Sequence, residues 1–184
     1  MGFIMEDNIY NFKYKLIKNF LDEKEINLIK QYSQLEFENK FRLFGDDMGD
    51  DFSVHGDPLI ESLMLCKLKK MQEITKLELL PTYAYYRIYT CFADLIRHKD
   101  RPACEISVTV QIDSSGEDWP IYMEGNPVSL NNGDALVYLG IELEHERKEF
   151  MGDYHTQCFL HYVNKNGKHS EWFMDKRKKY GVPK

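Results

Sequence analysis

Two of the six histidines begin His-x-Asp triplets, which can bring an imidazole and a carboxylate to one point. His98 and Asp100 lie between two segments with the composition of β-strands, so a rigid scaffold could hold both side chains. His55 and Asp57 form the other triplet, but Asp57 directly precedes Pro58, which is typical of a helix start. Because so short a triplet often arises by chance, we interpret the His55 triplet as accidental.

A third candidate ligand is His145, which follows the strand-like run Ala135–Leu139. Two imidazoles and one carboxylate on one face of a metal leave three positions open, the arrangement that suits non-haem Fe(II) activating oxygen. Another interpretation stays open on spacing alone. In it, His98 and Asp100 form an ion pair in a loop, and His145 is a surface residue among glutamates.

The first part of the chain reads as a short strand and two helices. Asp22 and Glu25 form a capping box ahead of apolar residues at helical spacing. Asp57-Pro58 begins a second helix, whose apolar face continues to about Leu79 before Pro81 stops it. Residues 45–57 are rich in Gly and Asp, so we expect a loop there, either a mobile lid over the site or an uninvolved surface loop.

The residue pattern of the rest of the chain predicts the strands of an antiparallel sheet. Asn132-Gly133 predicts a hairpin turn between two of its strands. Helices followed by closely spaced strands predict an α+β fold with a mainly β sandwich or barrel core. The predicted strands are Tyr14–Phe20, Tyr83–Thr90, Ile106–Ile112, Ile121–Met123, Val128–Leu130, Ala135–Leu139 and Tyr154–Val163.

Length and charge narrow the class of protein. The chain has 184 residues, enough for one domain, and a formal net charge of −6. It shows no apolar run long enough to cross a bilayer and no secretory signal, so we expect a cytoplasmic protein without a membrane partner. Seven basic residues against two acidic ones from Lys165 onward indicate a solvated basic tail, and the acidic body argues against a nucleic-acid partner.

The sequence around the three candidate ligands resembles the core of the prolyl-4-hydroxylase-like Fe(II)/2-oxoglutarate oxygenases. The resemblance covers roughly residues 14–166, which leaves 1–13 as an N-terminal extension and 167–184 as the basic C-terminal tail. The resemblance is specific because several sequence segments occur in the family's order, whereas any one of them alone would be weak evidence. The segments that carry it are Leu16–Asp22 with the helix that follows, Pro81–Tyr89, Leu95–Ser107, Trp119–Tyr122, Leu130–Tyr138, and His145 together with His155–Val163.

This resemblance implies a fold and a reaction. The fold is a double-stranded β-helix, a cupin-like jelly roll, with the N-terminal helices packed on one face. His98, Asp100 and His145 would be the Fe(II) ligands. The cosubstrate 2-oxoglutarate would chelate two of the remaining positions and O2 would take the third, with ascorbate as an optional reductant. Succinate, CO2 and a hydroxylated C–H bond would result, and Asp100 favours hydroxylation over halogenation because it leaves no site for a halide.

The partner of the distal carboxylate of 2-oxoglutarate departs from the family pattern. An Arg or Lys usually stands about ten residues after the last metal ligand, and here that residue is His155. Strand alternation places Gln157 on the face of His155, and Arg87 on the face of Tyr89. We favour His155 assisted by Tyr89 and Gln157 as the carboxylate site, then Arg87, and as a third alternative Arg147 reaching inward.

The sequence does not identify the substrate more closely than as a small molecule or a peptide. Arg101 and Arg147 are candidate substrate contacts, although charges such as Arg101, Arg97 and Lys99 are more often solvated loop residues. Two other functions stay open: a catalytically silent jelly-roll binding protein, and a metal-dependent enzyme of this fold that does not use 2-oxoglutarate. The oligomeric state is equally open.

Overall fold

The computed structural model describes residues 8–44 and 51–182. Two antiparallel sheets form the body of the protein. The helices are α1 (Ile9–Phe12), α2 (Glu23–Phe44) and α3 (Pro58–Thr75), with short 3-10 segments at Pro102–Cys104 and Ser170–Lys176. The strands are β1 (Tyr14–Ile17), β2 (Asp51–His55), β3 (Leu79–Thr90), β4 (Leu95–His98), β5 (Ile106–Ser114), β6 (Ile121–Met123), β7 (Asn126–Val128), β8 (Ala135–Tyr138), β9 (His145–Arg147) and β10 (Tyr154–Asn164).

The strand order is that of a jelly roll. The large sheet runs β1-β8-β5-β10-β3-β2 and the small sheet runs β4-β9-β6-β7, with every neighbouring pair antiparallel. The two sheets do not close into a barrel. The predicted mainly β architecture is confirmed.

The central strands of the large sheet have two different faces. Along β3, Ala84, Tyr86 and Ile88 point to one side and are almost completely buried. The Tyr86 ring packs edge-on against Tyr32 of α2, with ring centroids 6.2 Å apart. This face is the apolar core beneath the helices, so the helices cover one face as predicted and the other face is left for polar and aromatic side chains.

Both long helices begin with side-chain caps. Asp22 and Glu25 exchange two hydrogen bonds of 2.9 and 3.0 Å, which confirms the predicted capping box. The Asp57 carboxylate accepts from the backbone N–H groups of Leu59 and Ile60 at the start of α3. The N-cap explanation of Asp57 is therefore confirmed.

The predicted end of α3 is wrong by several residues. The helix ends at Thr75, because Lys76 adopts a left-handed conformation with φ 58°. Leu79 then begins β3, and Pro81 lies inside that strand rather than stopping the helix. Pro81 pairs with Tyr162 beside a register shift of β10, which is where a strand tolerates the missing N–H of proline.

The loop predicted at residues 45–57 is also partly wrong. Residues 51–55 form β2, which pairs along the edge of β3 from Asp51 opposite Tyr89 to His55 opposite Tyr85. The Gly/Asp composition favoured a loop, although Phe52 and Val54 alternate as in a strand and pack on the core side. Positions 45–50 lie outside the described residues, so the lid hypothesis is not tested.

Asn132-Gly133 forms a turn but not the predicted hairpin. Asp134 N donates to Asn131 O at 2.9 Å and Gly133 has φ 85°, as a tight turn requires. The flanking strands β7 and β8 belong to different sheets, so this turn connects the sheets. The true two-residue hairpin joins β6 to β7 through Glu124 and Gly125, both with positive φ.

Both ends of the described chain pack onto the core. Ile9 of α1 is completely buried. Near the other end, the Arg177 guanidinium pairs with Glu61 of α3, and only 6% of the Arg177 side chain is exposed. A solvated tail is therefore the wrong interpretation at Arg177, while the domain boundaries at 14 and 166 stay a prediction. Among the described residues, no helix combines the length and the apolar composition that a membrane span needs.

Candidate active site

The three predicted metal ligands come together where the small sheet faces the large one. His98 ends β4 and His145 begins β9, and these two residues are directly paired in the ladder. Asp100 follows β4, and its Oδ1 atom lies 3.6 Å from Nε2 of each histidine. The ligand atoms of all three residues lie within 4.8 Å of one another. This spacing allows one ion to contact all three.

Backbone carbonyl groups fix how the two imidazoles present their nitrogens. His98 Nδ1 donates to Ile96 O at 2.7 Å, and His145 Nδ1 donates to Leu143 O at 3.0 Å. With Nδ1 protonated in this way, the neutral rings offer Nε2 lone pairs toward Asp100. Such anchoring of the outer nitrogen is typical of metal-binding histidines.

The protonation tendencies of the three residues reflect their surroundings. The neighbouring Asp100 carboxylate raises the pKa of His98, whereas burial lowers the pKa of His145. Burial alone would raise the pKa of Asp100, but His98 and the other nearby imidazoles bring it below its usual value. An ionised carboxylate beside two imidazoles is a donor set that suits Fe(II).

A buried arginine lies two residues beyond the last of these ligands. Arg147 is only 3% exposed, and its guanidinium lies 4.7 Å from the centre of the Trp119 ring. Nη1 donates to the Trp119 carbonyl, while Nη2 is buried with no hydrogen-bond partner among the described residues. Burial lowers the pKa of Arg147 to about 10, so the side chain stays cationic at neutral pH. A buried cation with a spare donor is a place for an anion.

His155 lies beside this arginine and is neutral. Thr109 donates to Gln157 Oε1 at 3.0 Å, so the Gln157 amide nitrogen faces His155 and donates to its Nε2 at 2.7 Å. The remaining ring nitrogen, Nδ1, is then protonated and buried without a partner among the described residues. Burial, together with the Arg147 charge, lowers the pKa of His155 to about 3. His155 can therefore donate a hydrogen bond to a carboxylate but does not supply the positive charge.

The other predicted cosubstrate contacts lie close to His155. Tyr89 lies directly opposite His155 in the ladder between β3 and β10, and Arg87 lies opposite Gln157. The Arg87 guanidinium stacks 4.5 Å from the centre of the Tyr89 ring. The predicted sharing of one face is confirmed, while the cosubstrate roles of these residues stay a prediction. The rings of Trp119 and Phe150 belong to one buried cluster with Tyr89. We refer to these side chains, together with Arg147 and His155, as the inner pocket.

The site opens on the side of His98. The His98 side chain is 38% exposed, whereas that of His145 is 2% exposed. Elsewhere, on the edge strand β2, His55 stacks on Tyr85 at 4.3 Å between ring centroids. The His55 triplet does not form a metal site among the described residues, since Asp57 caps α3.

The two predicted substrate arginines have different surroundings. Arg101 makes two hydrogen bonds of 2.6 and 3.0 Å to the Asp175 carboxylate and stacks over Tyr83. Its charge is therefore already matched within the protein. Arg147 lies in the buried pocket described above rather than at the opening, which suits a cosubstrate better than a substrate.

A second group of possible ligands shares Asp100. Cys104 and His161 also lie within reach of the Asp100 carboxylate. However, burial raises the pKa of the Cys104 thiol to about 12, and the thiol hydrogen bonds with the Tyr83 hydroxyl at 3.2 Å. Because a metal binds the thiolate rather than the thiol, this group is better explained as structural support for Asp100.

Comparisons with known proteins identify the fold. No protein-family model and no curated protein sequence matches the chain. Solved structures do match it. A Pseudomonas putida prolyl-4-hydroxylase superposes with a TM-score of 0.65 at 14% identity, covering 85% of this chain and 95% of its own. An oxidoreductase of the 2OG-Fe(II) oxygenase family from Burkholderia pseudomallei superposes with a TM-score of 0.64 at 14% identity, covering 86% and 88%.

A third structure was solved with ligands in place. HygX from Streptomyces hygroscopicus, with nickel and 2-oxoglutarate bound, superposes with a TM-score of 0.65 at 12% identity, covering 89% of this chain and 88% of its own. The chain therefore has the fold of the 2OG-Fe(II) oxygenases, including prolyl hydroxylases, over almost its whole described length.

Proposed function

We propose that the protein is a non-haem Fe(II)/2-oxoglutarate-dependent dioxygenase that hydroxylates a substrate C–H bond and releases succinate and CO2. One observation carries the proposal: His98, Asp100 and His145 converge close to a buried arginine with a spare donor. The fold shared with 2OG-Fe(II) oxygenases supports it. A metal site alone would not need the buried cation.

The residues present fit the metal. Two Nε2 lone pairs and one carboxylate oxygen form a set of three donors that leaves positions for other ligands. When bound, Fe(II) with 2-oxoglutarate would supply the activation of O2 that C–H oxidation requires. His98, Asp100 and His145 are therefore proposed as the ligands.

The residues present also fit a dicarboxylate. Arg147 supplies the charge and Nη2 supplies a donor, while His155 Nδ1 supplies a second donor. Both groups would become satisfied if one carboxylate accepted from them, and each is costly to bury unpaired. We therefore propose Arg147, assisted by His155, as the holder of the distal carboxylate, with Tyr89, Gln157 and Arg87 shaping the pocket.

The surroundings would protect the reaction from water. Tyr89, Trp119 and Phe150 are at most 6% exposed and enclose the carboxylate end. The substrate would enter past His98, the most exposed of the three proposed ligands. We propose a small molecule or a peptide as the substrate, O2 as the oxidant and ascorbate as an optional reductant. The cytoplasmic location inferred from the sequence stays a prediction.

The test is succinate formation without added substrate. Purified protein is incubated with Fe(II), ascorbate and 2-oxoglutarate, and succinate is measured against the variant His98→Ala. We expect succinate from the wild type and only background from the variant. Metal binding without succinate would favour an enzyme of this fold that does not use 2-oxoglutarate, and neither metal binding nor succinate would favour a silent binding protein.

A further inference from the structure

The two oxygens of the Asp100 carboxylate have different partners. Oδ1 lies 3.6 Å from Nε2 of both His98 and His145, on the side where a metal would bind. Oδ2 faces away and accepts a hydrogen bond of 2.8 Å from Ser107 Oγ. One oxygen is thus offered to a metal and the other is engaged by β5.

Gly140 closes the other side of Oδ2. A methyl group on the Gly140 α-carbon would overlap Asp100 Oδ2, the carbonyl oxygen of Cys104 and Ser107 Oγ. The Gly140 carbonyl in turn accepts from Asp100 N at 2.9 Å. The absence of a side chain at Gly140 therefore lets the carboxylate lie against backbone, where it has little room to rotate.

The Ser107 hydroxyl has two further partners, His161 Nδ1 and, at 3.1 Å, the Cys104 carbonyl oxygen. Ser107 Oγ lies 3.0 Å from His161 Nδ1 as well as 2.8 Å from Asp100 Oδ2. A hydroxyl has one proton, so when it donates to Asp100 it can accept from the Nδ1–H group of His161. His161 is 3% exposed and its ring stacks on Tyr83 with centroids 4.5 Å apart, which holds the imidazole in place.

We propose that Ser107 and His161 are positioning residues that restrict Asp100 to binding the metal through one oxygen. A carboxylate can bind a metal through one or both oxygens. A second Asp100 oxygen on the metal would take a position that 2-oxoglutarate or O2 needs. The proposal rests on the metal site of the proposed function, but not on its chemistry with 2-oxoglutarate.

The first test measures the binding and the visible spectrum of Co(II) alone. The intensity of its spectrum reports the coordination number, which a general loss of stability would not change. Ser107→Ala frees Oδ2, and we expect Co(II) binding weakened by about 10-fold or more together with a changed spectrum. Thr75→Val is the matched control, because it removes a buried hydroxyl that hydrogen bonds within α3. It should leave the Co(II) affinity and spectrum unchanged.

The second test separates the hydrogen bond from the packing of His161. His161→Asn keeps an N–H group that can reach Ser107, and it should retain the wild-type Co(II) spectrum. His161→Phe keeps the ring stacked on Tyr83 but lacks the donor, so it should behave as Ser107→Ala does. This pair also carries the test if Ser107→Ala fails to fold.

The outcomes distinguish this inference from the proposed function. Wild-type affinity and spectrum in Ser107→Ala and His161→Phe would overturn the inference. A wild-type protein that binds no Co(II) would overturn the inference and the metal site together. If the variants behave as expected but the wild type makes no succinate with Fe(II) and 2-oxoglutarate, the positioning role stands and the proposed function is wrong.

Discussion

The metal-facing end of the site and its inner pocket differ in how far their polar atoms are satisfied. At the metal end, the outer nitrogens of His98 and His145 and the outer oxygen of Asp100 all have partners. In the inner pocket, Arg147 and His155 each bury a donor without a partner among the described residues. The first region is preorganised for a cation by its own hydrogen bonds, whereas the second needs an anion to complete it.

The largest effect is expected from removing one of the three candidate metal ligands. Asp100→Ala or His145→Ala removes one of three donors, so succinate formation should fall to background and Fe(II) binding should be lost. Succinate and bound iron are measured on the same samples. His169→Ala is the matched control, because His169 is a histidine that belongs to neither candidate ligand group. Wild-type iron binding in Asp100→Ala would show that the site is misassigned.

The second-largest effect is expected in the inner pocket, where substitutions test which residue binds the distal carboxylate of 2-oxoglutarate. Arg147→Leu removes the charge that we assign to the distal carboxylate, and losing one partner of a buried charged pair costs about 2–5 kcal/mol. The 2-oxoglutarate concentration for half-maximal succinate formation should therefore rise by at least about 30-fold. Arg87→Gln and His155→Gln should raise it less. A larger effect of either would reassign the carboxylate to the residues that the sequence favoured.

The comparison also shows what the sequence could predict. The convergence of the three candidate ligands was predictable because the His-x-Asp triplet and the following strands stand in a recognisable order. The shared faces of β3 and β10 were predictable because alternation along a strand has a period of two. The hydrogen bond between Gln157 and His155 and the stacking of Arg87 on Tyr89 confirm that reasoning.

The missed features depend on contacts between distant parts of the chain. Strands β4 and β9 have four and three residues, too short for a pattern of their own. The burial of Arg147 depends on Trp119, which lies 28 residues earlier in the sequence. The contact of Ser107 with His161 spans 54 residues. No local pattern encodes these distances.

A smaller effect concerns the pH dependence of stability. The folded pKa of His155 is lowered from 6.5 to about 3, so the unfolded chain binds the proton more tightly. The stabilising contribution is complete above pH 6.5 and is lost as the pH falls below it, by up to about 1.4 kcal/mol per pH unit. His98 acts in the opposite direction because its pKa is raised.

Comparing His155→Gln with the wild type isolates the contribution of His155. Urea unfolding of metal-free protein between pH 7 and 5 should show a shallower loss of stability in the variant. Identical slopes would mean that folding does not lower the pKa of His155, which would return it to consideration as the carboxylate's cation.

The smallest expected effect lies at the opening, where Arg101 meets Asp175. Because the Arg101 charge is matched within the protein, Arg101→Gln and Asp175→Asn should destabilise the fold by similar amounts, and the double variant by little more than either. The coupling free energy from thermal unfolding should be about 0.5–3 kcal/mol. Additive effects in the double variant would leave Arg101 available for a substrate.

The most direct test of the central claim follows the oxygen atoms. Wild-type protein is incubated with Fe(II), 2-oxoglutarate and ¹⁸O₂, and the succinate is analysed by mass spectrometry. A dioxygenase of the proposed type places one atom of O2 in the succinate, so we expect succinate carrying a single ¹⁸O. That product should be absent with His98→Ala. Succinate without ¹⁸O, or no succinate from metal-loaded wild-type protein, would contradict the account.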